Sequence, residues 1–535
     1  MKKIIELKNV IEFYTLANKL KTTIVDDANN YSIADQLYGT IILAIAINNE
    51  FNQTNEVEKI IRAMILDEII KLNPDYQLQE KFKNGRIYYQ EILSTRSLAT
   101  TEGKLISKYK KLDILLTNLI QEEGNKLDYE TLSNKGIAII KSIVQIEDSY
   151  SKYQSIFDFY YHNFKLKNKV RGGWDENHWN VKAERLETVA EHIVSAISLA
   201  MAMNAMFQYS NLNIDKVTGM LSIHEIGESI IGDITPHDGI NPEDKKKYEQ
   251  VAVLKVIGNL SNKNDLFQLF QEFDEHQTLE SIFSYFSDKL DADLQSKLYQ
   301  DMGMHISIAE LKEKELKPYS NPKVQKIIQK GAETIFEIWY HMDKSIYESK
   351  TEFKEFRDLL KMIKDNNMLN ITNGILKERR QLNNMEHQYL VDEISCKIKE
   401  LKELKDVDCI YMTIYPNYSS NKATIYLNVL LVRFANKTQI ERILYEINTY
   451  FRENNHTTIN VEFVFNDIDD YSRIALNPSD VRRAEELTAS SIIFDKSNKI
   501  TSLRDELLKT KNIFTFQTVA LEPLIEEPIR LAARK

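Results

Sequence analysis

Apolar residues recur at three- and four-residue steps through most of the first 380 residues, as in YGTIILAIAINNEF and AISLAMAMNAMF, and Gly (15) and Pro (9) are scarce in a chain of 535. Such spacing gathers apolar side chains on one face of a helix, and few helix breakers interrupt it. The pattern changes after about residue 385. A helical stretch, YLVDEISCKIKELKEL, leads into the strand-like CIYMTIYP and TIYLNVLLVRF, then the helical ERILYEINTYFRE, then INVEFVF and SSIIFD. Short runs rich in β-branched and aromatic residues read as strands. The prediction is a mainly α first part and a smaller α+β domain at 386–535. Between them, residues 349–385 read as a polar helical connector with turn signals at NN and NG.

The helical part repeats itself. IEFYTLANKLKTTI (11–24) matches FDFYYHNFKLKNKV (157–170), IADQLYGTIILAIAINNEF (33–51) matches VAEHIVSAISLAMAMNAMF (189–207), and MILDEIIK matches LSIHEIGE. Farther on, ISKYKKLDILLTNL resembles SYFSDKLDADLQSKL. Repeats of this length imply duplicated domains, 1–150 and 151–348, not a solenoid, and the two copies are expected to pack together as an intramolecular pair. Apolar positions persist between the copies while ionisable ones change. His192 stands where the first copy has Gln36, His224 where it has Asp67, Glu228 where it has Lys71, and Asp288 where it has Lys110. The first 150 residues hold no histidine, and the second copy holds eight of the ten.

His192, His224, Glu225 and Asp288 are therefore candidate ligands of a site that the first copy lacks. Two imidazoles and two carboxylates suit a divalent first-row ion. The ammonium of Lys110 offers no lone pair to a cation. Taken alone, each histidine also fits a hydrogen-bonded core position. Glu228 lies one helical turn after His224 and so points to the same side. Asp233, in GDITP, is either a site carboxylate or a turn residue.

Together, His192 in ERLETVAEH, His224-Glu225 in SIHEIGESIIGDITP and Asp288 in SDKLDADLQSKLY resemble the metal-dependent phosphohydrolase HD superfamily, and within it the branch of 5'-deoxynucleotidases, over roughly residues 155–345. The fold implied is two tandem HD-type helical domains, the first degenerate. The resemblance assigns the metal, one of Mn, Co, Mg, Fe or Zn, to His192, His224, Glu225 and Asp288. Glu225 departs from the family's Asp by one methylene. The catalytic carboxylates implied are Glu228 and Asp233. In VRGGW, Arg171 is implied as the phosphate contact and Trp174 as a wall against the sugar, with Arg185 also in the motif. The implied reaction is attack of water on a nucleoside monophosphate or related nucleotide, releasing phosphate. The C-terminal domain looks faintly like a nucleotidyltransferase core whose carboxylates are missing; the alternative is an unrelated α+β module. Either version offers a surface for a homo-oligomer or a protein partner.

Charge narrows the partners. Lys plus Arg total 69 against 79 Asp plus Glu, a net charge of -10, which does not favour nucleic acid. Only Cys396 and Cys409 occur, so a disulfide framework is not expected. The N-terminus has no signal-peptide pattern and no segment approaches 18 consecutive apolar residues, so a soluble cytoplasmic protein is expected, with no membrane partner. Two other readings compete with the hydrolase: a nucleotide sensor with a weakened site, and a nucleic-acid phosphodiesterase.

Overall fold

Two long helices, Ile33–Phe51 and Val189–Phe207, form the centre of the first of two units, Met1–Leu376 and Lys377–Lys535. The computed structural model describes residues 2–371 apart from 27–29, 55, 74–75, 77 and 97–99, and beyond them four strands with a few neighbouring positions. Among the described residues the architecture is mainly α with a small sheet region, as the apolar pattern predicts.

The two central helices begin and end alike. Ser32 accepts from Asp35 N while Asp35 accepts from Ser32 N, and Thr188 and Glu191 form the same capping box. Each helix stops at a residue in the left-handed region, Asn52 (φ 48°) and Gln208 (φ 53°). A cap of this kind stabilises a helix by about 1 kcal/mol. The two boxes also interlock: Ser32 Oγ donates to Glu191 and Thr188 Oγ1 donates to Asp35 Oδ1 at 2.7 Å. By length and composition Val189–Phe207 is apolar enough to cross a membrane, but it is wholly buried within its unit and serves as a core helix.

Helix Lys2–Ala17 packs on Val189–Phe207, and helix Tyr150–Phe164 packs on Ile33–Phe51. Behind the second contact lies a buried ion pair, Lys167 Nζ to Asp113 Oδ1 at 2.6 Å. Gly39 is pressed against it: an added Cβ would lie 1.8 Å from Asp113 Oδ1 and 2.5 Å from Lys167 Nζ. Gly39→Ala should therefore destabilise the protein by about 1–3 kcal/mol, the usual range for overpacking. An unchanged urea midpoint would refute this.

Residues 351–371 depart from the connector reading. Helix Lys354–Asp365 buries Phe356, Leu359, Leu360 and Ile363 in the core of the first unit, and Lys3 ion-pairs with Asp358 at 2.5 Å. Those four residues fall at i, i+3, i+4 and i+7, an amphipathic stripe that a high density of charges obscures in the sequence.

In the second unit one sheet runs in the order Ile459–Asp467, Lys422–Leu431, Val407–Asn417, Ser491–Asp495. The first pair is parallel and the other two are antiparallel. A parallel pair needs a crossover. The expected helix ERILYEINTYFRE falls in that interval of sequence and lies, like YLVDEISCKIKELKEL, almost wholly outside the described residues.

Candidate metal centre

His192 sits in the first turn of Val189–Phe207, and burial of that helix on all sides carries its imidazole into the interior with no exposed surface. Its Nδ1 lies 2.7 Å from Asp291 Oδ2 and its Nε2 2.9 Å from Asp288 Oδ1. Both carboxylates project from one face of helix Leu279–Asp301, three residues apart. His224 closes helix Ile214–Ile223, and its Nδ1 lies 2.8 Å from Leu221 O. A carbonyl only accepts, so Nδ1 donates, and Nε2 is the nitrogen left to face the site. That Nε2 is buried without a hydrogen bond, 3.6 Å from Asp288 Oδ1 and 3.8 Å from Glu225 Oε1. One donor atom from each of His192, His224, Glu225 and Asp288 lies within 4.8 Å of the others.

The donor set fits a divalent cation. A buried imidazole nitrogen without a hydrogen bond, facing two carboxylates, calls for a positive charge between them. The electrostatics agree. Burial works against the charge of Glu225, yet His224 and Arg171 hold its pKa below the usual range. Asp288 is likewise held well below, because Lys289 and both imidazoles outweigh its burial. Burial and Arg171 oppose the charge on His192, but hydrogen bonds to Asp288 and Asp291 lift its pKa to about 9.

Glu228 and Asp233 come to the same place. Glu228 opens the short helix Glu228–Ile231 and is buried, and burial followed by the charges of Asp233 and Glu225 keeps its pKa well above normal. A cation among these groups would reverse part of that shift. Asp233 Oδ2 accepts from Gly172 N at 2.7 Å, which ties the VRGGW turn to GDITP. Gly172 permits the approach, since a Cβ there would lie 2.8 Å from Asp233 O. Arg171 reaches between the two segments, with Nη1 2.7 Å from Glu225 Oε1 and Nε 3.6 Å from Asp233 Oδ2.

Trp174 and Arg185 are not where their expected roles require. Trp174 is 2% exposed, stacks on Trp339 at 5.1 Å and donates Nε1 to Glu187 at 2.8 Å, so it packs in a hydrophobic cluster and walls no open face. The three-residue turn Gly172–Trp174 rotates the indole inward, towards the carboxylate that satisfies its N–H. Arg185 donates to Asp35 Oδ2 at 2.7 Å and to Glu191, because two capping carboxylates converge there and draw the guanidinium from the phosphate role.

Three neighbours of the cluster escape the sequence reading. Asp291 belongs to KLD, which recurs as Lys111-Leu112-Asp113 in the first copy and so looks structural. Lys289 places Nζ 3.1 Å from Asp288 Oδ2, and only its adjacency to a candidate ligand signals it. Phe273 packs on the His224 ring at 5.1 Å, from a helix that carries no motif.

At the matching positions of the first copy, cations stand among the carboxylates. Lys110 pairs with Glu68 at 2.5 Å, and Asp67 pairs with Lys71 at 2.8 Å and Arg96 at 2.5 Å.

Two imidazoles and two carboxylates thus converge in a buried cluster of the helical core that could hold a divalent metal ion. The HD domain family model matches residues 164–330. The chain is similar to the 5'-deoxynucleotidase HDDC2 of Dictyostelium discoideum, 32% identical over 142 residues, which are 25% of this chain and 73% of that protein. It is similar also to the human 5'-deoxynucleotidase HDDC2, 26% identical over 26% of this chain and 65% of that one. The 5'-deoxynucleotidase hdd1 of Schizosaccharomyces pombe is 29% identical over 18% of this chain and 44% of its own length. The chain belongs to the HD-domain family, in its 5'-deoxynucleotidase-like branch. It is thus a hydrolytic enzyme of the HD phosphohydrolase type, although the chain spans somewhat less than two thirds of the human relative.

Proposed function

We propose that this enzyme releases phosphate from nucleoside 5'-monophosphates, with His192, His224, Glu225 and Asp288 as its metal ligands. The observation that carries the reading is the buried, unpaired Nε2 of His224 facing three further donors. Relatives in this family bear the name 5'-deoxynucleotidase, which supports a nucleotide as substrate.

When bound, a divalent cation supplies Lewis-acid polarisation of the phosphoryl group and lowers the pKa of water. Arg171 orients the substrate phosphate, for which its planar donors are suited once the phosphate competes with Glu225. Lys289, beside Asp288, adds a second positive charge at the same mouth. Glu228, buried beside Glu225 and Asp233, is the carboxyl placed to exchange a proton with the reacting groups, and Asp233 fixes the Arg171–Gly172 turn against it. The reaction is placed in the cytoplasm, with the two repeats paired within one chain and the first repeat without a metal.

The test is phosphate release from a panel of nucleoside and deoxynucleoside monophosphates with manganese, cobalt or magnesium. Release that needs metal and stops on chelation is the expected result. Nucleotide binding without release would favour the sensor, and cleavage confined to oligonucleotides would favour the phosphodiesterase.

A further inference from the structure

Behind His192 lies a layer of side chains contributed by the first 25 residues. Asp291 gives Oδ2 to His192 Nδ1, while its Oδ1 accepts from Tyr14 OH at 2.9 Å and from Ser195 Oγ at 2.5 Å. Lys21 is buried next to them, ion-paired with Glu187 and donating to Gln295 Oε1 at 3.0 Å. Its charge is the largest influence opposing the burial of the Asp291 carboxylate.

A related arrangement occurs in the other half. Tyr160 OH donates to Asp113 Oδ1 at 2.7 Å, and Lys167 Nζ donates to that oxygen and to Thr117 Oγ1 at 3.2 Å. Tyr14 and Tyr160, Lys21 and Lys167, and Asp291 and Asp113 are equivalent positions of the two repeats. Each repeat thus lends a tyrosine hydroxyl to a carboxylate of the other, but Lys167 bonds Asp113 directly whereas Lys21 bonds Glu187 and Gln295. The halves differ in what that carboxylate supports: Asp291 holds His192, whereas Gln36 occupies the corresponding position beside Asp113.

We propose that Tyr14, bonded to Asp291, and Lys21, bonded to Glu187 and Gln295 beside it, are positioning residues for the metal centre, keeping Asp291 in the orientation that turns His192 Nε2 towards the other three donors. The inference rests on the metal-centre reading above. A metal-binding imidazole depends on the group bonded to its other nitrogen, and that group depends on its own partners. With the Tyr14 hydroxyl removed, the Asp291 side chain would keep only Ser195 and His192 to fix it, and with Lys21 removed the neighbouring Glu187 would lose its cation. The first repeat, although it lacks the ligands, is then half of the support for the centre that its partner repeat carries, which accounts for its retention in the chain.

The test is manganese titration by calorimetry on the full chain, comparing Tyr14→Phe and Lys21→Met with the mirror variants Tyr160→Phe and Lys167→Met. Members of a pair remove the same group, a buried cation or hydroxyl bonded to buried partners, so both pairs test folding as well as binding. Loss of such an outer partner weakens metal binding by about 10- to 100-fold. Tyr14→Phe and Lys21→Met should show a loss of that order, and the mirror variants should bind as wild type. Lys21→Arg should recover part of the affinity. Tyr14→Phe deletes one hydroxyl and keeps the comparison open if the lysine variants do not fold. Wild-type affinity in Tyr14→Phe, or equal weakening in Tyr160→Phe, overturns the inference while leaving the metal centre standing. Failure of the wild type to bind manganese overturns both.

Discussion

Asp288→Asn should lower phosphate release by about 10³-fold, because a metal centre supplies several kcal/mol of charge stabilisation and each 1.36 kcal/mol is a factor of ten. The substitution preserves shape and removes charge. Asp288 Oδ1 lies 2.9 Å from His192 Nε2 and 3.6 Å from His224 Nε2, closer to both nitrogens than Glu225 Oε1 at 4.0 and 3.8 Å, so its charge is central to the proposed ligand set. His224→Ala, which deletes the unpaired Nε2, should act as severely. The metal-free protein should lose stability as well. Burial opposes the charge of Asp288, but Lys289 and both imidazoles outweigh it and hold the carboxylate well below its ordinary pKa, so the fold favours the charge. Removing that charge should lower the metal-free melting temperature. The rise in melting temperature that manganese gives the wild type should be lost, since linkage stabilises only what binds. Retained release, or a retained manganese-dependent rise in Asp288→Asn, would remove this residue from the centre.

The proposed ligand set is legible in the sequence because the chain contains its own comparison. Where two repeats keep their apolar spacing and only one keeps His192, His224 and Asp288, packing cannot be what selects those residues. The same logic concealed Asp291: a carboxylate present in both repeats looks structural, and in the first repeat Asp113 is indeed paired with a buried lysine. Periodicity likewise indicates which face of a helix is buried but not its neighbour. It therefore predicted the central helices and could not show that Lys21 passes under the opposite repeat. The roles of Trp174 and Arg185 come from the resemblance of their segments to the family's motif, whereas a three-residue turn and two capping carboxylates direct these side chains elsewhere. The helix Lys354–Asp365 was hidden by its charges, and only its four apolar positions link it to the core.

The second large effect concerns the repeat without a site. Lys167→Met should cost about 3–5 kcal/mol, the range for removing one partner of a buried ion pair. The side chains of Lys167 and Asp113 are 1% and 2% exposed, so solvent cannot replace the lost ammonium. Asp113 retains Tyr160 OH, which satisfies one lone pair and leaves the charge uncompensated. Its pKa is already above the ordinary 3.8, because burial outweighs Lys167 and Tyr160, and loss of Lys167 must raise it further. A carboxylate whose pKa is higher in the fold than in the unfolded chain binds a proton on folding, so stability falls as pH rises from the unfolded value through the folded one. The deficit of Lys167→Met should accordingly be smallest in mild acid, where Asp113 is protonated in the fold, and grow towards pH 8. The double variant Lys167→Met/Asp113→Leu removes both charges and should recover most of the loss at every pH, since an apolar pair of similar volume often replaces a buried ion pair without penalty. Urea titrations across that pH range measure all three outcomes. A deficit independent of pH, or a double variant no more stable than the single one, would show that Lys167 does not contribute through its charge pairing with Asp113.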